Sequence, residues 1–84
     1  MKSEMCQRSP FGNNLRYLRE LKGLSQRRLA YRIRSNRSSI GSYEENRAHP
    51  SFDTLVAISE YFQVTIDDLL KFDIKTLRKI DADS

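Results

Sequence analysis

The side chains able to do chemistry in this 84-residue chain are overwhelmingly arginines and lysines. Between residues 16 and 47, nine basic residues stand against only Glu20, Glu44 and Glu45, a local balance of +6. Residues 48–84 carry four basic and seven acidic residues, a balance of −3, so the signs are segregated along the chain. A surface that only needs solvation intersperses its charges, and a segregated cationic half implies a polyanionic partner. Other chemistry is poorly supplied. Cys6 is the single cysteine and has no intrachain disulfide partner, and His49 is the single histidine. One thiol and one imidazole make neither a catalytic constellation nor a metal-ligand set, so the expectation is no catalytic residues, no metal and no cofactor.

The elements that must position these cations are helices. At 84 residues, with 38% hydrophobic and 31% charged residues, the chain has the size of one domain and the composition of one modest core. No run approaches the roughly 20 apolar residues of a membrane span, and residues 1–7 lack the apolar stretch of a secretory signal, so no membrane association and a cytoplasmic location are expected. Residues 1–12 contain Ser, Pro and Gly without apolar periodicity and read as a flexible lead-in. A first helix starts at Asn13 or Asn14 as cap, buries Leu15, Leu18 and Leu21, and stops at Lys22-Gly23. Ser25 caps a second helix with Leu29, Ala30 and Ile33 inward, and Asn36 caps a third with Ile40 and Tyr43 inward. Ser51 caps a fourth with Leu55, Ile58, Tyr61 and Phe62 on its inner face. Thr65 and Asp68, spaced like a capping box, open a fifth carrying Ile66, Leu69 and Leu70. Ile74, Leu77 and Ile80 make a short sixth helix or tail over residues 72–84, leaving residues 13–71 as an all-α domain.

Helices two and three are joined only through Arg34-Ser35, too little chain for them to lie side by side, so they must cross steeply. Helix three then turns Arg37, Ser38, Gly41 and Ser42 outward, a polar and sterically light face. Such a face suits an approach to base edges, where arginine bonds guanine through two parallel hydrogen bonds.

The segments Leu24-Ser25-Gln26 through Leu29-Ala30, Ser38-Ser39-Ile40, Tyr43-Glu44, Pro50-Ser51 and Asp67-Asp68-Leu69-Leu70 together resemble the Cro/repressor-type helix-turn-helix family over about residues 13–70. The resemblance implies a compact five-helix domain whose third helix enters the major groove of a double-stranded DNA operator, frequently as a homodimer on a near-palindrome. It implies a transcriptional regulator, repressor-like, with helix three running over about residues 37–45. By matching position it assigns DNA contacts to Gln26 at the start of helix two and to Asn36, Arg37, Ser38 and Ser42 on helix three. Arg47 and His49 fall on positions that commonly meet phosphate. Asn36 can serve equally as a simple cap, and the others as solvated polar residues. Arg19 and Glu44 match positions that form a bracing ion pair.

Three features depart from the family pattern. Arg34, Asn46 and Gln63 stand where glycine is usual, which leaves the turn at Arg34 either strained or differently shaped. Arg34-Ser35 also replaces a Gly-hydrophobic pair. Arg27 and Arg28 occupy the first turn of helix two, where members often carry Glu, against the helix dipole unless phosphate lies nearby. A competing reading is a protein-binding module, as in antitoxins of similar fold, with DNA binding secondary. An additional protein partner or a C-terminal effector domain is compatible with either.

Overall fold

The computed structural model describes residues 9–76. In chain order these form α1 (Phe11–Leu21), α2 (Gln26–Arg32), α3 (Arg37–Glu44), α4 (Phe52–Phe62) and α5 (Ile66–Lys71), and residues 74–76 are again helical. No strand occurs among the described residues. The fold is all-α.

Four helices begin on the side chains that the sequence indicates. Ser25, Asn36, Ser51 and Thr65 each have extended backbone, and each side-chain oxygen accepts the amide three residues on, at 3.0, 2.9, 3.2 and 2.9 Å. A cap of this kind contributes about 1 kcal/mol by satisfying one orphan donor of the first turn.

Helix ends share one device. After α1, α2, α3 and α4 a residue turns left-handed: Gly23 (φ 69°), Arg34 (φ 60°), Asn46 (φ 60°) and Gln63 (φ 58°). In each case its amide and the next one fold back onto helix carbonyls. Gly23 and Leu24 bond Glu20 and Arg19, and Arg34 and Ser35 bond Tyr31 and Ala30. Asn46 and Arg47 bond Tyr43 and Ser42, and Gln63 and Val64 bond Glu60 and Ser59. The paired bonds define a Schellman ending, which needs a positive φ. Only Gly23 adopts it without a Cβ penalty; the other three bear about 1 kcal/mol each, asparagine least. The turn at Arg34 therefore keeps the glycine-type shape despite its side chain.

One core lies between the helices. Leu15, Leu18, Leu29, Ala30, Ile33, Ile40, Ile58, Phe62 and Leu69 are buried, and Ile74 closes over them. Burial of each large side chain contributes roughly 1.5–3 kcal/mol. Leu21 departs from its expected inward place and is exposed, because the chain turns at Gly23 and brings Leu24 against the core instead. Leu70, a third of a turn from buried Leu69, also faces outward.

The start of α1 corrects the expectation of a cap at Asn13 or Asn14 and of a loose chain up to residue 12. The helix begins at Phe11, with the Ser9 hydroxyl accepting the Phe11 amide at 3.0 Å. Phe11 is buried, its ring 6.4 Å from that of Tyr43. Gly12 presses on the end of α3 so closely that a Cβ would lie 2.6 Å from the Glu44 carbonyl oxygen and 2.8 Å from that of Tyr43. Asn14 lies inside the helix and is 1% exposed. Its Nδ2 donates to the carbonyls of Leu69 (2.8 Å) and Phe72 (2.7 Å), with a longer contact to Asp68, while its Oδ1 accepts the Ile74 amide at 3.0 Å. Asn14 thus caps the far end of α5, not the near end of α1. The remainder of the expected lead-in, residues 1–8, and Leu77 and Ile80 of the sixth helix lie outside the described residues.

Candidate nucleic-acid interface

The orientation of α3 is fixed at both ends. Its first turn is tied to α2 by the Arg34-Ser35 turn and capped by Asn36. Its last residue, Glu44, has a fully buried side chain that accepts from Arg19 Nε at 2.6 Å and Nη2 at 3.2 Å. Gln26 Nε2 donates to the same carboxylate at 3.0 Å, and Arg16 approaches it at 3.5 Å. Arg19 also donates to the Leu24 carbonyl at 2.7 Å, so its guanidinium links the end of α1, the start of α2 and the end of α3. A buried carboxylate is tolerated only when its charge is met this fully.

With α3 so held, Arg37 and Ser38 are exposed and Gly41 and Ser42 are half-buried along the outer face. Arg37 engages no carboxylate among the described residues, and neither do Arg27, Arg28, Arg32 and Arg34. The first turns of α1, α2 and α3 contain no acidic residue, whereas α4 has Asp53 and α5 has Asp67 and Asp68 there. The positive dipole ends of α2 and α3 thus lack a carboxylate on their first turns, which carry Arg27, Arg28 and Arg37 instead, an arrangement that favours an anion such as phosphate.

The residues expected at the interface are not alike in this setting. Asn36 uses Oδ1 twice within the protein, accepting from the Ser39 amide and from the Ser38 hydroxyl at 2.8 Å, which leaves its Nδ2 as the group available to an outside partner. Gln26 turns its amide inward to Glu44 and lies against Gly41, so its side chain braces α3. Arg27 is exposed on the first turn of α2. Arg47 and His49 are exposed in the segment after α3, with Arg47 Nε on Glu45 at 2.7 Å in a solvent-exposed pair. Sequence reasoning missed Gly12 and Asn14, whose roles depend on distant carbonyls and carry no local signature.

The helix-turn-helix family profile matches residues 15–69. The chain belongs to the Cro/C1-type helix-turn-helix family. Over 60 residues it is 38% identical to the HTH-type transcriptional activator BcrR of Enterococcus faecalis, covering 71% of this chain and 29% of that protein. Over 61 residues it is 39% identical to the SPbeta prophage-derived HTH-type transcriptional regulator YonR of Bacillus subtilis, covering 73% of this chain and 56% of that one. The chain therefore spans only about a third to a half of the length of these helix-turn-helix relatives. Among solved structures it is similar to the P22 c2 repressor in complex with a synthetic operator, with TM-score 0.70 and 26% identity. It is also similar to the restriction-modification controller C.AhdI of Aeromonas hydrophila, with TM-score 0.66 and 31% identity. Both alignments cover 73% of this helix-turn-helix chain and 92% of the other. Among the described residues no helix is long and apolar enough to cross a membrane.

Proposed function

We propose that this chain binds double-stranded DNA sequence-specifically as the reading module of a transcriptional regulator, with α3 in the major groove. The observation that carries the reading is the outer face of α3: Arg37 and Ser38 stand exposed on a helix whose far end is locked through Glu44 to Arg19 and Gln26. Preorganisation of this kind removes the cost of ordering the helix on binding and leaves only that of the side chain itself. Arg37 is the direct reader, its guanidinium suited to guanine O6 and N7. Ser38, Ser42 and the Nδ2 of Asn36 supply shorter polar contacts, while Arg27, Arg47 and His49 meet the phosphates. Gln26 acts by holding α3 and presents its backbone at the start of α2. The similarity to a repressor in complex with a synthetic operator supports the DNA partner, and a homodimer on two related half-sites about 10–10.5 base pairs apart is the assembly that suits such a reader. The role is binding rather than catalysis and its setting is the cytoplasm, and membership of a helix-turn-helix family supports both.

Selection of bound sites from random duplexes, followed by Arg37→Ala, tests the reading. The variant should bind its selected site about 1–3 kcal/mol more weakly and lose preference at one base position. A uniform loss on every sequence would make Arg37 a phosphate contact, and no loss would remove α3 from the groove.

A further inference from the structure

The outward side of α2 carries a surface of which the proposed DNA reading uses only Arg27. At about 3.6 residues per turn, Leu29, Ala30 and Ile33 fall on one side of α2 and pack into the core, while Arg27, Arg28, Tyr31 and Arg32 fall on the other. Tyr31 is 81% exposed, the largest exposure of any big hydrophobic residue described. Together the four side chains line a shallow hollow of about 340 Å³. None of the three arginines is paired with a carboxylate among the described residues. Leu29, Ala30 and Ile33, on the opposite side, join the core that Ile40 of α3 also enters, so this stripe lies on the side of α2 turned away from that contact.

We propose that this stripe is a docking surface for an acidic protein partner, one that presents an apolar or aromatic centre ringed by carboxylates. Charge complementarity carries the choice of occupant. Three guanidinium groups around one ring offer bidentate partners for carboxylates, and the ring offers the apolar contact between them. Tyrosine and arginine are also the residue types that dominate binding energy at protein interfaces. A phosphate backbone would engage the arginines but leave the broad face of Tyr31 without a partner. Arg27, on the first turn of α2, is the member of the stripe that the proposed DNA reading also uses. Docking therefore goes beyond the DNA reading and does not depend on it.

The test uses the full 84-residue chain, isotopically labelled, and a synthetic helical peptide with one Phe flanked by Glu three and four residues to either side. Its charge-reversed counterpart, with Lys for Glu, is the control. The acidic peptide should shift the amides of α2 saturably, with the selected DNA site bound as well as without it, and the Lys peptide should not. Tyr31→Ala, an exposed change that leaves the core intact, should weaken capture of the acidic peptide at least about fivefold and leave duplex affinity within about twofold. Absence of localised shifts, or equal shifts with the Lys peptide, overturns the proposal. A larger loss of duplex affinity in Tyr31→Ala assigns the stripe to flanking DNA and overturns it too. Failure of the DNA reading shows separately, as absence of any selected site.

Discussion

Arg19 Nε and Glu44 Oε2 lie 2.6 Å apart, joining the last turn of α1 to the last residue of α3. The Glu44 side chain is fully buried and that of Arg19 is 13% exposed, so solvent screens the pair little. Removing one partner leaves the other charge desolvated and unmet, a loss of up to about 3–5 kcal/mol, whereas an exposed pair contributes about 1 kcal/mol or less. Arg19→Ala, Glu44→Ala and the double variant should show a coupling well above 1 kcal/mol in urea unfolding. Because Gln26 and Arg16 share the carboxylate, Glu44→Ala should cost more than Arg19→Ala. Coupling near zero would mean that the Arg19–Glu44 pair does not brace α3.

Asn14 fastens α1 to the end of α5 through four hydrogen bonds, three of them donated by one Nδ2 group that has only two protons. The 3.3 Å contact to Asp68 is accordingly the weak one, and the Leu69 and Phe72 carbonyls and the Ile74 amide are the groups that depend on Asn14. Each buried group left unsatisfied costs about 1–3 kcal/mol, so Asn14→Ala should lower the unfolding free energy by at least about 2 kcal/mol. Asn14→Asp should do no better, because a carboxylate cannot donate to the two carbonyls. Hydrogen exchange at Ile74 should speed up in both variants. Unchanged protection there would show that this amide is held by other means.

Arg34 adopts a φ of 60° beside the first turn of α3 and makes no ion pair among the described residues. Glycine relieves the Cβ penalty but loses more chain entropy on folding, so Arg34→Gly should stabilise the fold by only a few tenths of a kcal/mol. If the cation meets a phosphate, the same variant should bind duplex more weakly, with the salt slope reduced by about 0.9. The two readouts on one variant separate strain from binding. Destabilisation by glycine would contradict the left-handed conformation.

The elements around the turn were legible because their signals are local. Ser25, Asn36, Ser51 and Thr65 cap the helices that their sequence positions indicate, and Leu29, Ala30, Ile33 and Ile40 lie inward as their spacing requires. The start of α1 was not legible. Asn14 has the residue type of a cap, yet its partners lie 54 to 60 residues away, and nothing near it in sequence announces them. Gly12 reads as a loop glycine until the end of α3 is packed against it. Gln26 falls on a position where a DNA contact is expected, but a buried carboxylate 18 residues on draws its side chain inward. Non-local polar contacts of this sort leave no periodicity behind, which is why apolar patterning finds the core and misses the pins between helices.

Affinity for a selected duplex site, compared with a scrambled duplex of equal length across a series of salt concentrations, tests sequence-specific DNA reading most directly. The selected site should bind roughly 10³-fold or more tightly at moderate salt, and both affinities should fall with salt as bound phosphates release counterions. Equal affinity for the two duplexes would contradict base reading by α3, and affinity unmoved by salt would contradict the cationic face itself.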